Sequence, residues 1–291
     1  MMKVLITGSK GQVGHCLVSQ LTNKADVLAV DRDELDITDK AAVFRVVEQF
    51  RPNYIINAAA HTAVDKAEDE IELSYAINRD GPAFLAQAAN AVNAVMLHIS
   101  TDYVFDGESE HEYDESMPTA PHGIYGKSKL AGERAVAAAA NHHLILRTAW
   151  VFGEHGHNFV KTMLRLGATR DALSVVSDQV GGPTYAGDIA AALISMVDYI
   201  ESGNTPEWGI YHFSGTPHVS WFEFASEIFC QAKERKVLES VPLLSAIPTS
   251  AYPTPAKRPS NSRLNCEKIK DQFNIFPSDW QKALSNIQAY K

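Results

Sequence analysis

The sequence predicts an α/β protein with a doubly wound parallel sheet and a smaller lobe formed by the C-terminal half. Short, almost continuously apolar runs alternate with amphipathic helical stretches in the first half of the chain. Such runs are typical of strands buried on both faces, and their alternation with helices is typical of βαβ units. The length of 291 residues suits one large domain, or a core domain with a smaller partner.

The first half contains five predicted strands and four predicted helices. The strands are expected at 3–7, 26–30, 54–58, 95–100 and 144–148. The helices are expected at 12–21, 40–50, 68–90 and 127–140. We expect an interruption of the third helix at Gly81-Pro82, because proline lacks the backbone N–H that a helix interior needs. Each strand–helix–strand connection should be right-handed.

After Trp150 the alternation becomes less regular. Helices are expected at 158–166, 188–199, 221–233 and 279–288, and strands at 173–176 and 209–213. Residues 247–262 contain four prolines and predict an extended loop. We therefore expect a core domain at 1–150 and a smaller lobe at 151–291, from which some segments return to the core sheet.

The composition of the chain argues against several classes of function. The chain carries 26 basic and 35 acidic residues, a formal net charge of −9, which argues against a nucleic-acid partner because phosphates require a basic surface. Cys16, Cys230 and Cys266 are widely spaced, which suits a reducing compartment and shows no metal-binding pattern. We recognise no secretory leader and no apolar run long enough to cross a bilayer, so we expect a cytoplasmic protein without a membrane partner.

A glycine-rich segment, GSKGQVG at 8–14, lies between the first predicted strand and the first predicted helix. Gly8 permits a sharp turn, Gly11 lets the backbone approach a diphosphate, and Gly14 permits close packing of helix and strand. The free N–H groups of the helix N-terminus then face the anion. Its position between a strand and a helix predicts a Rossmann-type dinucleotide site.

The second predicted strand leads to Asp31, where a carboxylate can accept hydrogen bonds from the adenosine ribose of NAD. Arg32 follows directly and can pair with the 2′-phosphate of NADP instead. The sequence therefore predicts NADH or NADPH and does not choose between them. Residues 1–150 become the predicted dinucleotide-binding domain, and residues 151–291 the mainly substrate-binding lobe.

Tyr125 and Lys129 occupy positions i and i+4 of a predicted helix, so their side chains share one face. A phenol is a poor acid near neutral pH, and a nearby ammonium lowers its pKa. Such a tyrosine can give a proton to a carbonyl oxygen as hydride reaches the carbonyl carbon. Thr101 follows the fourth predicted strand, and its hydroxyl can share the substrate oxygen with Tyr125. These three residues are the predicted catalytic set.

In this order, the glycine-rich loop, the threonine and Tyr-x-x-x-Lys resemble the extended short-chain dehydrogenases/reductases. Longer motifs resemble, more narrowly, the dTDP-4-dehydrorhamnose reductase family. These motifs are NAAAHTAVDKAE at 57–68, STDYVF at 100–105, YGKSKLAGE at 125–133 and PTSAYPTPAKRP at 248–259. Related dehydratases carry a Glu after the Thr-Asp pair, where this chain has Tyr103, and this difference favours simple carbonyl reduction. The resemblance covers nearly the whole chain.

The resemblance implies NAD(P)H-dependent reduction of the C4 ketone of dTDP-4-dehydro-L-rhamnose to dTDP-L-rhamnose, in a pathway that feeds bacterial surface polysaccharides. Tyr125 would donate the proton and Lys129 would bind the cofactor. The resemblance and the glycine-rich loop together imply a set of cofactor contacts. These are Gly8, Gly11, Gln12, Val13, Gly14, Asp31, Arg32, Asp36, Ile37, Ala60, His61, Thr62, Ile99, Tyr125 and Lys129. The expected contacts of the sugar nucleotide are Thr101, Asp102, Trp150, Asn158 and Arg258, with the Arg258 guanidinium as the diphosphate partner.

The acidic residues predict no metal site. Some members of the family form dimers around a Mg²⁺ ion held by glutamates, and His15 and Asp188 stand near two of those positions. Imidazole is a poor ligand for this hard cation, so the sequence argues against a metal-linked dimer and leaves a homodimer open. We interpret the acidic run at 65–70 as a solvated helix start that favours the helix dipole.

Two alternatives remain open at this point. One is another sugar-nucleotide epimerase or dehydratase, which the tyrosine at position 103 opposes. The other is a non-catalytic regulatory subunit of the methionine adenosyltransferase type, which shares this fold. The retained Tyr125, Lys129 and Thr101 oppose that second alternative.

Overall fold

The computed structural model describes residues 1–291 and contains a central sheet of six parallel strands. The strands of the chain are β1 (Lys3–Thr7), β2 (Asp26–Val30), β3 (Tyr54–Asn57), β4 (Val95–Thr101), β5 (His143–Thr148), β6 (Val151–Phe152), β7 (Ala172–Val176), β8 (Val180–Gly181), β9 (Thr184–Tyr185), β10 (Gly209–His212), β11 (Gly215–Thr216), β12 (Val219–Ser220), β13 (Leu243–Ile247), β14 (Asn261–Ser262) and β15 (Ser278–Asp279). The central sheet has the order β2-β1-β3-β4-β5-β10, and the remaining strands form small two- or three-stranded sheets.

Helices cover both faces of the central sheet. They are α1 (Gln12–Leu21), α2 (Lys40–Phe50), α3 (Val64–Ala67), α4 (Ile71–Tyr75), α5 (Gly81–Ala91), α6 (Ile124–Ala139), α7 (Phe159–Gly167), α8 (Ala186–Glu201), α9 (Trp221–Glu234), α10 (Glu267–Phe273) and α11 (Trp280–Leu284). Helices α1, α8 and α10 pack on one face, and α2, α5 and α6 on the other. The predicted doubly wound α/β class is confirmed. No helix combines the length and the apolar character that a membrane span requires.

The alternation of side chains along each strand explains the continuous apolar runs. In β1, Ile6 belongs to the apolar layer under α1 and α8, whereas Leu5 belongs to the layer under α2 and α5. In β4, Leu97 and Met96 divide in the same way. Because successive residues of a strand point to opposite faces, a strand covered on both sides needs apolar residues at nearly every position.

The main local difference between the prediction and the structure lies at 68–90, where one helix was expected. The chain forms α3, α4, the π-helical segment Ala76–Asp80 and α5, in that order. The predicted interruption at Gly81-Pro82 is confirmed, because a new α-helix begins at Gly81 and Pro82 lies in its first turn, where the residue needs no backbone N–H donor. The irregular backbone directly precedes it, at the π-helical segment, and such segments are frequent at functional sites.

The C-terminal half forms its own apolar cluster and also returns to the sheet. Phe152, Phe224 and Trp280 are buried in a cluster built by α7, α9 and the last helices, while β10 forms an edge of the central sheet. The predicted helix at 279–288 is shorter than expected and ends in a 3₁₀ turn, and α10 was not predicted. The division of the chain near residue 150 stays a prediction.

Candidate active site

The glycine-rich loop lies where the strand order reverses, between β1 and β3. Gly8 has φ +70°, and a Cβ there would lie 2.6 Å from the backbone nitrogen of Ala59. A Cβ on Gly14 would lie 2.0 Å from the carbonyl oxygen of Gly8. No side chain caps α1 at Gly11, so the first-turn N–H groups of Gln12 and Val13 suit an anionic ligand. The loop therefore fits a dinucleotide diphosphate.

A cavity of about 530 Å³ opens beside this loop. It is lined by seven of the predicted cofactor residues: Gly8, Gly11, Asp31, Arg32, Asp36, Ile37 and Ala60. Its apolar wall was missed by the sequence analysis and consists of Leu35, Leu73, Ala76 and Ile77. Apolar side chains around a few polar groups are typical of sites for cofactors, so this cavity suits the nucleoside part of a dinucleotide.

Asp31 supports the loop as well as lining the cavity. Its carboxylate accepts hydrogen bonds from the backbone nitrogens of Lys10, at 2.9 Å, and Arg32, at 2.8 Å. The Lys10 ammonium forms ion pairs with Asp33 and Glu34, each at 3.1 Å. The charge of Lys10 is thus balanced on the surface, and Arg32 is the other cation that lines the cavity.

The loop that carries Ala60, His61 and Thr62 is fastened by Asn78, a fully buried residue of the π-helical segment. The Asn78 Oδ1 atom accepts a bond of 2.8 Å from the His61 backbone N–H, and its Nδ2 donates to the His61 carbonyl at 3.1 Å. Nδ2 also donates to Ser128 Oγ at 3.0 Å. Asn78 therefore joins the predicted cofactor loop to the helix of Tyr125, and the sequence analysis missed it.

Tyr125 lies in the first turn of α6, whose first N–H, from Ile124, donates to Glu68 Oε1 at 2.8 Å. Burial raises the pKa of the Tyr125 phenol, and the nearby Thr101 side chain opposes this shift. Lys129 is not among the groups that change the pKa of Tyr125. The expected lowering of this pKa by Lys129 is therefore wrong for this structure, and burial keeps the Tyr125 phenol protonated.

Lys129 is 2% exposed. Its ammonium donates to the backbone carbonyl of Ile99 at 2.6 Å. Burial lowers the pKa of Lys129 to about 8. The structure thus brings Lys129 to the end of β4, next to the backbone of another predicted cofactor contact.

Asp102 is buried beside Thr101, the predicted catalytic threonine. Its Oδ1 accepts a bond of 2.9 Å from Thr101 Oγ1, while its Oδ2 is buried and has no hydrogen-bond partner. Burial raises the pKa of Asp102 to about 6. An unpartnered buried acceptor requires an explanation, and the Ser262 side chain lies close enough to this carboxylate to lower its pKa.

Arg258 and Tyr103 connect the Pro-rich segment to this centre. The Tyr103 ring contacts Tyr125 edge-on, with ring centroids 5.3 Å apart. Arg258 Nη1 donates to the Tyr103 hydroxyl at 3.3 Å, and its Nη2 forms an ion pair with Asp65. Asp65 also accepts the backbone N–H of Ala256 at 3.2 Å. The prediction of a helix start is confirmed for Asp65, which lies in the first turn of α3. The prediction that its carboxylate is solvated is wrong, because this residue fastens the Pro-rich segment.

Trp150 and Asn158 make contacts with residues that are distant in the sequence. Trp150 stacks on Trp221 with centroids 3.5 Å apart and ring planes at 12°, and Trp221 was not predicted. Asn158 caps α7 by accepting from the Lys161 N–H at 3.1 Å, and its Nδ2 donates to Gln12 Oε1 at 2.9 Å. The structure thus joins Asn158 to the glycine-rich loop, whereas the sequence analysis placed it on the substrate side.

The two residues considered for Mg²⁺ do not fit that ion. The His15 ring stacks on His155, with centroids 3.5 Å apart. Asp188 Oδ2 accepts a bond of 2.6 Å from Ser278 Oγ. An imidazole in place of an oxygen ligand disfavours a hard cation.

Comparisons with known proteins agree with this geometry. The family described as RmlD substrate binding domain matches residues 2–290. A dTDP-4-dehydrorhamnose reductase from Aggregatibacter actinomycetemcomitans is 53% identical, over 100% of this chain and 99% of that protein.

Two solved structures of the same family are similar throughout. One is a dTDP-4-dehydrorhamnose reductase from Clostridium acetobutylicum, with a TM-score of 0.91, 40% identity and coverage of 99% of this chain and 98% of that one. The other is the Bacillus anthracis dTDP-4-dehydrorhamnose reductase in complex with NADP, with a TM-score of 0.91, 38% identity and full coverage of both chains. The predicted resemblance is confirmed: this chain belongs to the dTDP-4-dehydrorhamnose reductase family.

Proposed function

We propose that this protein reduces the C4 ketone of dTDP-4-dehydro-L-rhamnose to dTDP-L-rhamnose with NADPH or NADH. The observation that carries the proposal is the convergence of Tyr125, Thr101 and Lys129 at the carboxyl edge of the sheet, beside the unpartnered oxygen of Asp102. A cytoplasmic location and a homodimer stay predictions of the sequence.

The residues fit a nicotinamide dinucleotide. Gly8, Gly11 and the first turn of α1 would hold the diphosphate, because this helix N-terminus has no side-chain cap. Asp31 and Arg32 would face the adenosine ribose, and Lys129 the nicotinamide ribose. The bound dinucleotide would supply the hydride.

Tyr125 donates the proton to the C4 oxygen in this proposal. Burial keeps the phenol protonated by raising its pKa. The Thr101 hydroxyl, which interacts with the phenol, can share the same substrate oxygen.

The sugar nucleotide would be held by residues from both halves of the chain. Asp102 can accept a sugar hydroxyl through its unpartnered Oδ2. The stacked Trp150 and Trp221 rings offer a flat apolar wall, and the Arg258 guanidinium, 23% exposed, keeps N–H donors for the diphosphate.

The test is to follow the loss of NADPH absorbance with the 4-keto sugar nucleotide, and to identify the product by mass spectrometry. The proposal predicts oxidation of one NADPH for each dTDP-L-rhamnose formed. A reaction without the sugar nucleotide is the control. Binding of NADPH without turnover would contradict the proposal and would favour the regulatory-subunit alternative.

A further inference from the structure

A buried ion pair between Glu133 and Arg147 joins α6, the helix of Tyr125 and Lys129, to β5. Glu133 and Arg147 form two parallel hydrogen bonds, with Nε to Oε1 at 2.9 Å and Nη2 to Oε2 at 2.7 Å. Their side chains are only 3% and 2% exposed. Glu133 follows Lys129 by one turn of α6 and Arg147 lies on β5, so the carboxylate and the ammonium are on the same buried face of the helix.

The mechanism uses Lys129 as a cation, yet its surroundings disfavour a charge. Its one hydrogen bond goes to the neutral carbonyl of Ile99. His98, which packs nearby from β4, is fully buried, and burial together with Lys129 holds the pKa of this imidazole well below its usual value. Burial lowers the pKa of Lys129, and the Glu133 carboxylate opposes that shift.

Arg147 has no other anionic partner. Its guanidinium lies 5.0 Å from the centroid of the Phe105 ring, and its Nη1 is 3.5 Å from His212 Nε2. Burial lowers the pKa of His212 to about 3, so that imidazole is neutral. Arg147 therefore fixes the position of the Glu133 carboxylate through two charge-assisted hydrogen bonds from one guanidinium.

Fold stability alone does not explain why Glu133 and Arg147 form a buried ion pair. A buried ion pair contributes little compared with apolar residues of equal volume. We propose that Glu133 is a positioning residue that keeps the Lys129 ammonium charged, and that Arg147 holds the Glu133 carboxylate in place for this role. The proposal rests on the function proposed above, in which Lys129 binds the dinucleotide ribose.

Two variants test it. Glu133→Gln removes the carboxylate but leaves Arg147 buried without its anion, which destabilises the fold. The double variant Glu133→Met/Arg147→Met replaces the pair by apolar residues of similar size and keeps the fold if the first variant fails. The readout is the dissociation constant of NADPH, measured by fluorescence as a function of pH.

The direction of the expected pH effect on NADPH binding follows from the charge of Lys129, which is present below the pKa of this lysine and lost above it. NADPH binding to the wild type should weaken as pH rises through the range where Lys129 loses its proton. Without the Glu133 carboxylate this weakening should begin at lower pH, with the midpoint shifted down by about one pH unit.

Glu201→Gln is the matched control. Glu201 lies on α8 and accepts a bond of 2.7 Å from the Tyr54 hydroxyl, at the opposite end of the sheet. Its removal should leave the midpoint unchanged. A wild-type midpoint in the folded Glu133 variants would overturn the inference. Normal pH-dependent NADPH binding by a wild-type protein that does not reduce the sugar nucleotide would instead overturn the proposed function alone.

Discussion

Asp65 and Arg258 stand 193 residues apart in the chain and form an ion pair, with Oδ2 of the carboxylate 2.5 Å from Nη2 of the guanidinium. Asp65 belongs to α3, which directly follows the loop that carries the predicted cofactor contact Thr62. Arg258 belongs to the Pro-rich segment and also contacts Tyr103. This ion pair therefore joins the helix that follows the loop of predicted cofactor contacts to the Pro-rich segment.

Arg258→Ala should raise the KM for the sugar nucleotide and leave the dissociation constant of NADPH nearly unchanged. Loss of a charge-assisted hydrogen bond costs roughly 2 kcal/mol, which corresponds to about thirtyfold in KM. Arg258→Lys should recover only part of this, since an ammonium keeps the charge without the planar fork.

Lys257→Ala is the control for Arg258, because the neighbouring Lys257 forms an exposed ion pair with Glu108. Its KM should stay close to the wild-type value. Should Arg258→Ala weaken only NADPH binding, the Pro-rich segment would belong to the cofactor side and the assignment of Arg258 would fail.

Asp31→Ala should shift the cofactor preference from NADH towards NADPH. The carboxylate is the ribose acceptor and repels a 2′-phosphate, whereas Arg32 remains to pair with that phosphate. The loop also loses two hydrogen bonds, so binding of both cofactors should weaken. The measurement is kcat/KM for each cofactor, with Asp33→Ala, which removes only a surface partner of Lys10, as the control. An unchanged ratio would show that Asp31 does not read the 2′ position.

Asn78→Ala should destabilise the protein and weaken NADPH binding. It leaves the N–H and the carbonyl of His61 without their partners, and such losses cost roughly 1–3 kcal/mol each. Urea unfolding and NADPH titration measure the two effects. Asn53→Ala, which removes one exposed contact to the Lys3 N–H, should change neither by a comparable amount. Wild-type NADPH affinity in a destabilised Asn78→Ala variant would show that the loop does not depend on this contact.

Sequence patterns predicted the repeating part of the fold. Apart from the stretch at 68–90, the strands and helices of the first half lie within a few residues of their expected bounds, because the apolar periodicity of a buried βαβ unit is strong. The π-helical segment at 76–80 was beyond prediction, since the close packing of Gly132 against the Asn78 carbonyl depends on another helix. Local periodicity carries no information about such packing.

The candidate site likewise contains residues that local sequence motifs predicted and contacts that they did not. The glycine-rich loop, Thr101 and Tyr125 were predicted because their chemistry is encoded in short segments. The pairing of Asp65 with Arg258, and of Trp150 with Trp221, joins segments that are distant in sequence. Only the tertiary fold brings these partners together, and for that reason the charge of Asp65 was misinterpreted.

Tyr125→Phe tests the central claim most directly, because it removes the proton-donating hydroxyl and keeps the aromatic ring against Tyr103. The measurement pairs kcat for reduction of the 4-keto sugar nucleotide with the dissociation constant of NADPH in the same variant. The account predicts that kcat falls by roughly 10²-fold or more while NADPH binding stays within about twofold of the wild type. A near-normal kcat in a variant that binds NADPH normally would contradict the role of Tyr125 as the proton donor.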